Sequence, residues 1–341
     1  MNGFGTGVRR DSSAGVNGLE SGEVVRTASS VSTSAEEAAY RIRAVFARCG
    51  ARGFVHAAAL DGGGELEVDA DEPVVLASVF KIPIALAYAR AVHAGELDPA
   101  EPANVTARDR LGGTGVAGCA DDARLSWRDL ALFMLSMSDN AATDVLLRRL
   151  GLDAVRAVLA ELGLSRTSIS GGCAELFARI RAELGLRDDG GDIDASLVGV
   201  STDAVWRLSA LDPARTYASA PREIGALLAA IWQDRAGPPA ACAELRSMLA
   251  RQIWPHRMAA GFPDGVTVAG KTGTILAVRN EAGVVTLPDG RGYTVAVFTR
   301  AERLDERRPA LDAAIGVAAR LAVEYLGGTP FAEGSARLVV A

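Results

Sequence analysis

Ser78 and Lys81, in the run Leu76-Ala77-Ser78-Val79-Phe80-Lys81-Ile82-Pro83, place a hydroxyl and an amine three residues apart at the head of an apolar stretch. On a helix that separation puts both side chains on one face. A neutral amine there can take the hydroxyl proton and activate a serine that is a poor nucleophile alone. Composition sharpens the point, because only two of the 36 Lys and Arg residues are lysine, Lys81 and Lys271. A guanidinium stays protonated inside a protein, whereas a buried ammonium beside another cation can lose its proton and act as a base. A chain written almost wholly in arginine therefore has a chemical reason to keep two amines. Two further motifs offer polar groups to such a pair: Ser138-Asp139-Asn140 at a helix junction and Lys271-Thr272-Gly273 in an alternating segment.

Elements able to hold these residues are legible in the periodicity. Ala39, Ile42, Val45 and Phe46 predict a helix over 35–49. Strands over 54–61 and 65–71 are joined through Gly62-Gly63-Gly64, a hairpin signal. A helix runs from Ser78 through Leu86, Tyr88 and Val92 to a stop at Gly95, with Pro83 imposing a kink or a tight first turn. Ser126 and Asp129 read as a capping box for a helix with Leu130, Phe133, Met134 and Met137 on its apolar face. Helices follow over 141–150, 174–184, 221–232 and 240–253, then strands over 266–274, 282–287 and 293–299 and a last helix over 308–325. Gly112-Gly113-Thr114-Gly115 reads as a turn, since no Lys follows it as a phosphate loop requires, and the acidic run 187–192 reads as solvated loop.

Strands at both ends with helices between predict an α+β fold: a five-stranded antiparallel sheet packed with the N- and C-terminal helices, plus an all-helical lobe. On this division the sheet part comprises residues 35–75 and 255–327 and the lobe 76–254, with the site in the cleft between them. Residues 1–34, rich in Gly, Ser, Thr and Val, and 328–341 read as tails.

The totals exclude several classes. With 341 residues, 49% hydrophobic and 23% charged, the chain reads as an ordinary globular protein. A net charge of −6 argues against a nucleic-acid partner. Cys49, Cys119, Cys173 and Cys242 are scattered, with no Cys-x-x-Cys and no histidine at ligand spacing, so no zinc or other metal is expected. His56, His93 and His256 fall in separate segments and read as packing or surface residues, and no Gly-x-Ser-x-Gly elbow supports a Ser-His-Asp triad. Neither a signal peptide nor a run of about 18 apolar residues is visible. The expectation is a cytoplasmic monomer without cofactor or membrane contact, acting on a small molecule; a start further upstream would restore export.

Ser-x-x-Lys, Ser-Asp-Asn and Lys-Thr-Gly occur in that order, their first residues 60 and 133 positions apart. In this the chain resembles, over 35–327, the class A branch of the serine β-lactamase and penicillin-binding protein (D-alanyl-D-alanine peptidase) superfamily. The resemblance implies that Ser78 is the acylated nucleophile and Lys81 its proton acceptor. It implies that Ser138 relays a proton to the leaving nitrogen, with Lys271 holding that hydroxyl. The implied substrate-binding set is Asn140, Thr272, Gly273, Thr274 and Arg279, with the backbone amides of Ser78 and Thr274 as oxyanion hole.

The resemblance fails at deacylation. Class A enzymes hold the hydrolytic water with a Glu and an Asn four positions on. Glu175 lies 37 residues after Ser138 but is followed four on by Arg179, and no asparagine occurs between Asn140 and Asn280. Asp203, the other candidate, is followed four on by Arg207. Both carboxylates read equally well as exposed helix residues. Three activities stay open: a β-lactamase with a rearranged deacylation site, a cytoplasmic peptidase, esterase or acyltransferase, and a β-lactam-binding module that acylates once. The motif set favours the hydrolase.

Overall fold

The computed structural model describes residues 34–187, 193–304 and 307–331. Most of the two expected tails and most of the acidic run at 187–192 lie outside the described residues.

The chain opens with α1 (Ala35–Arg48), which starts where the Ser34 hydroxyl accepts the Glu37 amide at 3.1 Å. Next come β1 (Ala51–Ala59), β2 (Glu65–Val68) and β3 (Val74–Val75), then a 3₁₀ turn, Ala77–Phe80, that runs into α2 (Lys81–His93). The middle contains β4 (Pro102–Val105), β5 (Ala123–Ser126), α3 (Trp127–Ser136), α4 (Asn140–Leu150), α5 (Leu152–Glu161) and α6 (Cys173–Glu183). It continues through α7 (Ile193–Ser196), α8 (Thr202–Trp206), β6 (Ala218–Ser219), α9 (Pro221–Trp232) and α10 (Pro239–Leu249). The chain closes with β7 (Thr267–Ile275), β8 (Val278–Thr286), β9 (Gly292–Ala301) and α11 (Pro309–Gly327).

The fold is α+β, as the segment pattern predicts. Its five-stranded antiparallel sheet has the order β2-β1-β9-β8-β7, so β1 from the start of the chain pairs with β9 from its end. Strand alternation explains why helices cover both faces. Val55, Ala57, Val295 and Val297 point into a core with Ile42 and Phe46 of α1 and Ile315 and Ala319 of α11. Their neighbours Phe54, Ala296 and Phe298 point into a second core with Ile224 and Leu228 of α9 and Ile84 and Leu86 of α2. α2 is apolar almost all round because it is buried almost all round, as a central helix must be. The lobe between is not wholly helical: β3 pairs with β6 and β4 with β5. These two- and four-residue strands are too short for alternation to reveal them.

Three local features position the motifs. First, Pro83 sits behind a tight 3₁₀ turn, and Ala77, just before Ser78, is held at φ 45°, a conformation that costs an alanine roughly 1–3 kcal/mol. Asn280 of β8 holds that segment by donating to the carbonyls of Val75 (2.8 Å) and Leu76 (3.2 Å). Second, β7 passes so close to the turn that a Cβ on Gly273 would stand 2.7 Å from the Leu76 carbonyl oxygen. Third, Asp144 of α4 accepts the Cys173 and Ala174 amides at 2.6 and 2.7 Å, capping α6 from another helix. Gly172 makes room for that carboxylate, since a Cβ there would lie 2.3 Å from Asp144 Oδ1.

Gly273→Ala is expected to cost about 1–3 kcal/mol, read as a lowered urea midpoint, because the obstructing atom is backbone. Burial raises the Asp144 carboxyl to about 6 despite its two amide partners. A carboxyl raised on folding adds stability at low pH, and that contribution is lost as the pH rises through about 6. The stability advantage of the native chain over Asp144→Asn should therefore shrink by about 2–3 kcal/mol between pH 4 and pH 7.5. Equal differences at both pH values would show that Asp144 is not a buried acid.

Candidate active site

Ser78, Ser138, Asn140, Thr272, Thr274 and Arg279 line one cavity of about 840 Å³. Segments far apart in sequence converge there because the turn carrying Ser78 packs against β7 on one side and α2 packs against α4 on the other. Within a 3₁₀ turn, side chains three apart eclipse, so Ser78 and Lys81 share a side.

Lys81 is wholly buried beneath this floor. Its Nζ donates to the Ser138 carbonyl at 2.7 Å and to Asn140 Oδ1 at 2.9 Å, and it lies 3.3 Å from Ser138 Oγ and 3.5 Å from the Asp139 carbonyl. No hydrogen bond joins it to Ser78 among the described residues. Burial depresses the Lys81 pKa, while Cys173, Asp139 and Asp144 oppose the shift. Cys173 opposes only as a thiolate, and burial pushes that thiol up to about 12, so near neutral pH the desolvation prevails. Nζ donates to these oxygens, and its depressed pKa eases the loss of the proton that a base must lack.

Lys271 departs from the expected role. Its buried Nζ donates to the Thr272 carbonyl at 2.8 Å and makes no hydrogen bond to Ser138 among the described residues. Burial, then the positive charges of Lys81 and Arg257, hold its pKa well below the ordinary lysine value, with Glu281 opposing. Lys271 is a buried amine behind the cavity wall and makes no hydrogen bond to the second serine among the described residues.

The motif edges are built from pieces that sequence reading left unassigned. Asp139 is buried and caps α4, accepting the amides of Ala142 (3.0 Å) and Val116 (2.6 Å). The glycine-rich loop is more than a turn: Thr114 Oγ1 donates to the Met137 carbonyl at 2.6 Å. Gly115 lies where a Cβ would come within 2.2 Å of Asp139 Oδ2. Ser138 is held at φ 64° between these contacts. Along β7, Gln252 accepts the Thr272 amide at 2.7 Å and donates to Glu281, which also accepts the Met258 amide at 2.7 Å. The Thr272 amide thus faces away from β8, and by the two-residue alternation of an antiparallel edge the Thr274 amide faces the same way.

Arg257, absent from the sequence candidates, donates to Thr274 Oγ1 at 2.7 Å and to the carbonyls of Gly273 and Asn280 at 3.1 and 2.9 Å. Asp312 at the start of α11 anchors its Nε at 2.6 Å. No spacing signal marks it among 34 arginines. Arg279 lines the cavity but donates to carbonyls of its own turn, Leu276 and Val278, at 3.4 and 3.3 Å, and lies 4.0 Å from Asp312. His256, read as packing or surface, lines the cavity beside Arg257, with its pKa lowered by burial and by the neighbouring guanidinium.

Neither proposed deacylation carboxylate faces the cavity. Glu175 is exposed and accepts the Gly172 amide at 2.9 Å as a cap of α6, and Asp203 is exposed on α8. Cys173 instead reaches the centre: its Sγ lies 3.3 Å from Asn140 Oδ1, beside the Lys81 amine. All four cysteines are free thiols. Among the described residues no cluster of metal-binding side chains occurs, and no helix is long and apolar enough to cross a membrane.

Known proteins resemble this chain in sequence and fold. The beta-lactamase regulatory protein BlaB of Streptomyces cacaoi is 31% identical over 274 residues, covering 76% of this chain and 87% of that protein. A beta-lactamase from Sphaerobacter thermophilus superposes with a TM-score of 0.69 at 26% identity, covering 87% of this chain and all of its own. The structure of PBP-A shares the fold, with a TM-score of 0.66 at 22% identity over 84% of this chain and 96% of its own. The model of the beta-lactamase enzyme family matches residues 37–326, and with the cleft just described this chain belongs to that family.

Proposed function

We propose that the protein opens β-lactam rings by acylation of Ser78 and releases the opened product slowly. One observation carries this reading. The cavity wall brings together a serine hydroxyl, a second serine and an amide above a buried amine, yet among the described residues no carboxylate lines it. The first set serves acylation; a positioned base is what water attack would add. The regulatory designation of BlaB fits a chain whose task ends with the covalent adduct.

In the proposed reaction Ser78 Oγ attacks the lactam carbonyl and its proton passes to the Lys81 amine, with Ser138 as the bridging hydroxyl. The C–N bond then breaks as Ser138 delivers a proton to the nitrogen and recovers one from Lys81. The Ser78 and Thr274 amides receive the oxyanion in this reading. Arg257 and Arg279 supply positive potential for the substrate carboxylate, and Asn140, its carbonyl held by Lys81, keeps its amide NH₂ for the substrate.

A second reading, hydrolysis at full enzymatic rate, is favoured by the family's description and by the Sphaerobacter thermophilus relative. Incubation with benzylpenicillin followed by intact-protein mass spectrometry is expected to show one adduct, absent from Ser78→Ala. Turnover of a chromogenic cephalosporin should fall well below the typical ~1–10³ s⁻¹ of enzymes. Turnover inside that range would establish the second reading, and the absence of both adduct and turnover would remove both.

Lys81→Met, which keeps the side-chain volume but removes the amine, is expected to slow acylation about 10²–10⁴-fold. Because only the neutral amine accepts a proton, native acylation should be lost as the pH falls through the depressed Lys81 pKa. Lys81→Met should lose that limb of the profile. Unchanged acylation in this variant would relieve Lys81 of its role.

A further inference from the structure

From the lining of the cleft we infer that the substrate carries a large apolar side chain next to its reacting carbonyl, on the side of that carbonyl away from the arginines. The inference rests on the acyl-enzyme reading and adds the chemical class of the substrate.

α6 presents the argument most directly. Cys173 sits against Asn140 beside the reactive amine. Leu176 and Phe177, three and four residues on, share that helical face and line the same cavity. The apolar wall therefore begins one turn from the centre of the chemistry. Leu197, Val200 and Val205, around α7 and α8, extend it, and all three line the cavity. On the opposite side β7 changes character along its length. Thr272 faces the polar floor, and Ile275, three residues and roughly 10 Å further on by strand rise, joins the apolar lining.

The charge in the cleft has one sign. Arg257 and Arg279 line it, while among the described residues no Asp or Glu does. A ligand that complements both regions has an anionic group at one end, an apolar body at the other and the reacting carbonyl between. The volume of about 840 Å³ lies in the upper part of the ~300–1,000 Å³ range of small-molecule sites. A bare lactam nucleus would leave the half-buried Leu197 and Val200 of that wall partly facing water, and covering them with an apolar chain is favourable in proportion to the area covered.

Penicillins prepared from 6-aminopenicillanic acid with acetyl, butanoyl, hexanoyl and octanoyl side chains test this directly. The rate of Ser78 adduct formation, read by mass spectrometry, should rise about two- to fourfold per added methylene until the wall is covered. The double variant Leu197→Gln, Val200→Gln, at half-buried positions, should lower the octanoyl-to-acetyl rate ratio at least tenfold. Adducts that form at equal rates across the series, or fastest with acetyl, overturn the inference and leave the acylation chemistry standing. Neither adduct nor turnover with any member removes Ser78 as nucleophile and the inference with it.

Discussion

A primary amine with no access to water fixes the rest of this structure. Lys81 is wholly buried, and an uncompensated ammonium at such depth is costly. The chain answers with acceptors: two backbone carbonyls, a hydroxyl and an amide oxygen converge on Nζ, all from the Ser138-Asp139-Asn140 junction. That junction must therefore take one conformation, with Ser138 at φ 64° and Asp139 locked by two amides. The glycine-rich loop and Gly115 exist in this form because Asp139 requires the space. The demand of one nitrogen thus propagates through α4 to a loop more than twenty residues earlier in sequence.

The second buried lysine extends the same constraint to the sheet. Burial and then the charges of Lys81 and Arg257 depress the Lys271 pKa, and the buried Glu281, which burial itself raises, opposes them. Glu281 is in turn bound by Gln252 and the Met258 amide, and Gln252 fixes the outward edge of β7. Electrostatic compensation and strand positioning are one network here. The edge left toward the cleft is the edge that a substrate carbonyl can meet.

The site is asymmetric in its chemistry. Two serine hydroxyls and an amide line it near a buried amine, while the place beside Lys81 and Asn140 holds a neutral thiol, Cys173. A thiol held near 12 takes no proton from water at neutral pH. Belonging to the beta-lactamase enzyme family accordingly sets the fold, while on the proposed reading the lifetime of the adduct turns on the side chains around Lys81.

By itself the sequence determined the α+β class, the strands of the meander near β7 to β9, the helices bounded by Ser126, Pro221 and Gly151, and the three motifs, because each is written in local periodicity, capping and spacing. The rarity of lysine singled out both amines before any fold was known. Only the tertiary structure decided their partners: that Lys81 bonds to Ser138 and Asn140 and not to Ser78, and that Lys271 turns to the Thr272 carbonyl. It likewise decided that Glu175 caps its own helix, that Cys173 fills the centre, and that Arg257, one arginine among 34, reaches β7. The longest of these contacts joins residues 59 positions apart; such contacts are set by packing and by the cost of burying charge, and neither quantity is encoded within the reach of a helical turn or a strand repeat.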